Sequence, residues 1–112
     1  MKQVTVVVRP EKLDDVKQAL ERVGVSGLMI SEIQGHGKQK GVVQQWRGEK
    51  YKVDLIAKVK LQMVIKDSEL PVIKKAVIEA ARTGQIGDGK IFVSTVEEVI
   101  RIRTGEEGEI AL

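Results

Sequence analysis

The residues from Val4 to Val8 form an almost unbroken valine run, with Thr5 its single polar member. β-branched side chains at that density favour a buried, pleated strand. Pro10 then suits the first turn of a helix, and Leu13, Val16, Leu20 and Val23 recur at intervals of three and four, the spacing of one helical face. Asp14 and Asp15 sit early in that helix, where carboxylates complement the positive end of its dipole, and Gly24 is expected to end it. Leu28 to Ile33 alternates as a second strand and Lys58 to Ile65 as a third. Asp67 or Ser68 is placed to cap a second helix, with Pro71 in its first turn, Ile73, Ala76, Val77 and Ala80 on its apolar stripe, and Gly84 closing it. Ile91 to Val96 reads as a fourth strand, and Val99 to Arg103 as a short fifth extended piece. This order predicts an α+β, ferredoxin-like βαββαβ fold over a single domain, residues 1–112. Four antiparallel strands would then be covered on one face by two helices.

The second sheet face has no cover in such a fold, and a bare, partly apolar face predicts self-assembly. Between Gly35 and Leu55 the chain carries four glycines and no sustained period. A connection that long in so small a domain is expected to be functional or ordered by a partner. Charge is distributed unevenly. From His36 to Lys60 there are seven lysines and arginines against two acids, whereas the tail from Thr104 holds three glutamates and no cation. The net charge of +3 is too small by itself to imply nucleic acid. The absence of cysteine excludes disulfides and thiolate chemistry. No apolar run approaches the ~20 residues of a membrane span. The first residues lack a signal-peptide core, so a cytoplasmic protein without membrane insertion is expected.

Thr83-Gly84-Gln85-Ile86-Gly87-Asp88-Gly89-Lys90, with Arg101 and Arg103 downstream, is the strongest chemical signal. Glycines let backbone N–H groups approach an anion, and nearby cations neutralise it. The string fits the G-x-x-x-x-G-K part of a Walker A motif, but Ile91 stands where that motif places a magnesium-binding Ser or Thr. Its context is also reversed, because a helix precedes it and a strand follows. A different kind of phosphate loop is expected.

The residues also carry a family resemblance along essentially the whole chain. Arg9-Pro10-Glu11-Lys12-Leu13-Asp14-Asp15-Val16, Gly35-His36-Gly37-Lys38-Gln39-Lys40-Gly41 and Tyr51-Lys52-Val53-Asp54-Leu55 each resemble segments of the nitrogen-regulatory PII signal-transduction proteins. So do Lys58-Val59-Lys60, Thr83 to Val93, and Val99-Ile100-Arg101-Ile102-Arg103-Thr104-Gly105-Glu106. On that resemblance residues 37–55 form a T-loop, 83–90 a B-loop and 101–112 a C-terminal loop. It implies a homotrimer in which ATP and ADP compete for clefts between subunits. The implied nucleotide contacts are Met29, Gly35, Gly37, Lys38, Gln39, Val64, Gly87, Asp88, Gly89, Lys90, Arg101 and Arg103. It further implies 2-oxoglutarate binding with MgATP through Gly37, Gln39, Lys40, Gly41, Lys58 and Gly87, with Gln39 as a magnesium ligand. Lys38 stands where the family usually has arginine, Met29 where many members have threonine, and Ala57 where proline is common. Tyr51 matches the tyrosine that some bacterial members have uridylylated or adenylylated, although Lys50 beside it departs from the family pattern. Implied targets are an ammonium transporter, which would hold the protein peripherally at the membrane, adenylyltransferase, glutamine synthetase, or nitrogenase-control and transcription factors.

Two other function classes compete with a regulator. A phosphoryl-transfer or ATP-hydrolysing enzyme would need paired carboxylates or an activated nucleophile beside the glycines, and the sequence offers none there, leaving at most slow incidental hydrolysis. An RNA-binding ferredoxin-like domain stacks bases on strand aromatics. Neither Val4 to Arg9 nor Lys58 to Ile65 contains one, and the chain's aromatic residues are Trp46, Tyr51 and Phe92. Trp46 could anchor a partner or fold back on its own domain, and His36 is expected to shape the loop entrance. No nucleic-acid partner is expected.

Overall fold

A computed structural model describes residues 1–36, 43–46, 49–52 and 55–112, with residues 43–46 and 49–52 described by backbone alone. The valine run lies in β1 (Lys2–Val8), in which Val4, Val6 and Val8 are buried and the intervening residues are half-buried. After it, Pro10–Lys12 forms a 3-10 turn, closed by the Lys12 N–H donating to the Arg9 carbonyl at 3.0 Å, and leads into α1 (Leu13–Arg22). The expected cap is correct in position. Gly24 takes φ +91° and its N–H bonds the Glu21 carbonyl.

The strands β2 (Met29–His36) and β5 (Leu55–Ile65) run further toward each other than the sequence pattern predicts, pairing up to His36 opposite Leu55. Within the expected loop the structure adds a hairpin, β3 (Val43–Trp46) and β4 (Glu49–Lys52), with Gln44 opposite Tyr51. A second 3-10 turn, Asp67–Glu69, opens α2 (Leu70–Ala81). Neither Asp67 nor Ser68 caps it. The Lys66 N–H donates to the Glu69 carboxylate at 3.0 Å, while Asp67 pairs with the N-terminal amine at 3.0 Å. α2 also stops before Gly84, because Arg82 turns extended.

The strand order is β2-β5-β1-β6, where β6 spans Gly89–Thr95, and every neighbouring pair is antiparallel. This is the split βαβ arrangement, with β5 inserted between β1 and β2, and it bears out the ferredoxin-like expectation. Val4, Val6, Val8, Val59, Leu61, Met63 and Ile65 line the helix-covered face. They pack with Val16 and Leu20 of α1 and with Ile73, Val77 and Ala81 of α2. The stripe of α2 thus runs at strict fourth positions, with Ala76 and Ala80 on its flank.

The contrast between Ile73, 1% exposed, and Val72, 54% exposed, gives a direct test of that stripe. Ile73→Val should cost about 1 kcal/mol in urea unfolding, whereas Val72→Ala should stay within about 0.5 kcal/mol. Equal losses at the two positions would contradict the assigned helix face.

The expected fifth extended piece pairs at one point only. Val99 to Arg103 forms no strand and contributes only an isolated bridge between Ile100 and Glu107, and a short 3-10 turn, Gly108–Ala111, ends the chain.

Candidate phosphate-binding site

β1 lies between β5 and β6, so its carboxy-terminal end gathers the chemistry. Val8 pairs with Val59 on one side and Gly89 on the other. Arg9, the next residue, therefore emerges beside Lys58 and beneath the 83–88 loop. Its Nε approaches Asp88 Oδ1 at 3.2 Å, and its Nη2 donates to the Ile86 carbonyl at 2.8 Å. Lys58 Nζ donates to the Gly87 carbonyl. Two cations that are far apart in sequence thus converge on the glycine-rich loop.

Asp88 organises the loop from inside. Its Oδ2 accepts the N–H groups of Thr83 at 2.8 Å and Gly84 at 2.9 Å, and its Oδ1 accepts the Thr83 hydroxyl. The Thr83 hydroxyl oxygen in turn accepts the Gln85 N–H at 3.1 Å. These bonds hold the Asp88 carboxyl well below the ordinary carboxylate range, the Thr83 hydroxyl contributing most. Stability from this network is present above the ordinary carboxylate pKa and is lost only as the pH falls through the depressed value. Burial lowers the Lys58 pKa from the ordinary 10.5, and the neighbouring positive charge of Arg9 lowers it further.

The loop can take this shape because of its glycines. Gly87 and Gly89 both have φ +103°. A Cβ on Gly87 would stand 3.2 Å from Arg9 Nη2, and one on Gly89 would stand 1.7 Å from the Val7 carbonyl oxygen.

Other sequence-predicted residues lie elsewhere. Met29, Gln62, Thr5 and Phe92 form one row across the open sheet face, and Ser31, Lys60, Val7 and Lys90 form another. Val64, opposite Gln3, belongs to the same face. Met29 and Lys90 therefore sit in different rows on opposite edge strands, which lie three strand spacings or about 14 Å apart. Gly35 pairs with Ile56, farther along β2. Arg101 is engaged within its own loop, donating from Nη1 to Glu106 and from Nη2 to the Ile110 carbonyl, both at 2.8 Å. Arg103 is exposed and, among the described residues, makes no ion pair. Gly37, Lys38, Gln39, Lys40 and Gly41 lie outside the described residues, as do the side chains of Trp46 and Tyr51. A cleft of about 380 Å³ opens between α2 and β6, walled by Val77, Ile78, Ala81 and Ile91 on the helix side and bordered by Arg82, Asp88, Gly89 and Lys90 at the loop. By strand register the side chains of Lys58, Lys60 and Lys90 belong to the open face.

Arg9 and Thr83 were not among the sequence-predicted site residues. Arg9 could have been found by extending the β1 run to its end and asking which loop the sheet order places there. Among the described residues no three His, Asp or Glu side chains gather to hold a metal, and no helix is long and apolar enough to cross a membrane.

Comparison with known proteins agrees with the fold. The family described as Nitrogen regulatory protein P-II matches residues 1–106. A Nitrogen regulatory protein P-II from Rhodobacter capsulatus is 50% identical over 112 residues, covering all of both chains. One from Haemophilus influenzae is likewise 50% identical over all of both chains. A Nitrogen regulatory protein P-II 2 from Methanothermobacter thermautotrophicus is 45% identical over all of this chain and 97% of its own length. With a match along nearly its whole length and relatives at half identity end to end, this chain belongs to the P-II family of nitrogen regulatory proteins.

Proposed function

We propose that this chain is a non-enzymatic, homotrimeric sensor in the cytoplasm. It binds ATP or ADP between subunits, takes up 2-oxoglutarate together with MgATP, and signals to nitrogen-assimilation proteins through residues 37–55. The observation that carries this reading is the convergence of Arg9 and Lys58 on a loop whose glycines at 84, 87 and 89 all adopt positive φ. Such a loop suits phosphate, because its backbone can approach an anion that side chains would otherwise hold off.

The inter-subunit placement has its own support. Met29 and Lys90 occupy opposite sheet edges, so within one chain a single nucleotide would have to lie across the whole sheet to meet both. A second copy, setting its β2 edge against the β6 edge of the first, brings the two side by side. The regulator reading also fits the state of Asp88, the carboxylate inside the loop. Its oxygens are already occupied by Thr83, Gly84 and Arg9, and a carboxylate held that far down in pKa is a poor general base. Magnesium would arrive with the nucleotide and the 2-oxo acid, since phosphate, keto and carboxylate oxygens with the Gln39 amide suit its preference for hard oxygen ligands. An ammonium transporter, adenylyltransferase, glutamine synthetase or a nitrogenase-control protein is the target class.

Light scattering and calorimetry test the reading together. The expected mass is three times the 12.4 kDa chain, with ATP binding saturable. Arg103→Ala should weaken ATP binding by about 2 kcal/mol, the scale of a hydrogen bond to a charged group. Arg101→Ala should do at least as much, because it also opens the turn that Glu106 and Ile110 close. A monomer at micromolar concentration, or wild-type ATP affinity in both variants, would exclude this site.

A further inference from the structure

Asp88 is expected to offer its backbone amide to phosphate, which leaves its carboxylate without an assigned role. An anion is already seated in the first half of the loop, and it belongs to the protein. The carboxylate takes the N–H groups of Thr83 and Gly84, the Thr83 hydroxyl takes the N–H of Gln85, and Arg9 and Lys58 take the carbonyls of Ile86 and Gly87. Every residue from Thr83 to Gly87 is thereby fixed at one backbone group. The same carboxylate is tied to the end of β1 through Arg9 Nε. No hydrogen bond among the described residues engages the N–H of Gly87, in the other half of the loop.

We propose that Thr83 and Asp88 are positioning residues that set the phosphate loop before a ligand arrives, with Arg9 as their anchor to the sheet. The Asp88 carboxylate does at residues 83 and 84 what a phosphate would otherwise do, and so directs an incoming phosphate to the Gly87–Gly89 half. Thr83, which belongs to the loop string but has no role in the sequence reading, links both ends of the network: it donates its hydroxyl proton to Asp88 and accepts the Gln85 N–H on the same oxygen. A loop held in one shape binds its ligand without first being ordered, which is where preorganisation raises affinity. The inference rests on the nucleotide reading of this loop.

The test compares wild type with Thr83→Val and Thr83→Ser, using ATP as the probe in calorimetry. Valine keeps the branched shape and the backbone N–H but removes both hydroxyl bonds, and serine restores them. Thr83→Val should bind ATP at least about tenfold more weakly, the loss expected when a hydrogen bond to a charged group disappears. Thr83→Ser should recover most of that affinity. Without nucleotide, hydrogen exchange at the Gly84 and Gln85 amides should quicken in Thr83→Val, while the urea midpoint moves little. Asp88→Asn, which keeps an acceptor oxygen but loses the charge facing Arg9, should weaken ATP in the same direction. Wild-type ATP affinity in Thr83→Val, with exchange at Gly84 and Gln85 accelerated, would overturn the inference alone. So would an equal loss in the valine and serine variants. A wild-type protein that binds no ATP would remove the nucleotide reading, and this inference with it.

Discussion

Replacing Gly89 by alanine should destabilise the domain by about 4 kcal/mol, against about 1–2 kcal/mol for the same change at Gly84. Both glycines have positive φ, +103° and +87°, so both changes incur left-handed backbone strain. What separates them is the space a Cβ would enter. At Gly84 it meets nothing within 4 Å. At Gly89 it would lie 1.7 Å from the carbonyl oxygen of Val7 and 2.8 Å from its carbonyl carbon, both backbone atoms of the central strand. No rotamer relieves a clash between a Cβ and a backbone carbonyl. Either β6 withdraws from β1 at the Val8–Gly89 pair or the loop rotates away from Arg9. Both movements dismantle the loop, so Gly89→Ala should lose ATP binding as well as stability. Urea unfolding and calorimetry of the two variants measure this directly. A Gly89→Ala protein as stable as Gly84→Ala would mean that the close approach of β6 to β1 is wrong.

What was legible in the sequence follows the same division between local and distant causes. The valine run, the three-and-four spacing of Leu13 to Val23 and the alternation of Lys58 to Ile65 each report burial against a core, and each became the expected element. The segments that form β3 and β4 carry no such pattern. Val-Gln-Gln-Trp and Glu-Lys-Tyr-Lys are mostly polar, and without apolar alternation the period-two signal vanishes even where strands pair. Val99 to Arg103 fails in the opposite sense. Ile100 and Ile102 alternate with Arg101 and Arg103 as in a strand, but the Gly105 N–H returns to the Arg101 carbonyl at 2.7 Å and closes a tight turn, leaving Ile102 fully exposed. Alternation describes a strand only where a sheet neighbour exists. The site divides similarly. Glycines and Lys90 announce a phosphate loop within eight residues, whereas the Arg9–Asp88 pair spans 79 positions and exists only because β1 pairs with β6.

Affinity for 2-oxoglutarate should rise by two orders of magnitude or more in MgATP over ADP, a coupling of about 3 kcal/mol. The coupling follows if metal, γ-phosphate and 2-oxo acid share one coordination sphere on the proposed site, because ADP lacks the third phosphate. Linkage then requires 2-oxoglutarate to raise the preference for ATP over ADP by the same factor, which calorimetry in either order can check. Lys58→Ala should abolish most of this binding while ATP alone still binds, if Lys58 pairs with the distal carboxylate of the 2-oxo acid, as the resemblance to PII proteins implies. In the free protein that ammonium group is held by the Gly87 carbonyl and pushed below its ordinary pKa of 10.5 by burial and by Arg9. An arriving carboxylate favours the charged form and raises the pKa again. Binding therefore takes up a proton at alkaline pH: 2-oxoglutarate affinity is full below the lowered pKa of free Lys58 and falls as the pH rises through it. ATP affinity measured without the 2-oxo acid should not follow that profile. Equal 2-oxoglutarate affinity in ATP and ADP would break the shared-sphere mechanism. A profile unchanged by Lys58→Arg, whose charge persists to higher pH, would instead move the distal carboxylate away from residue 58.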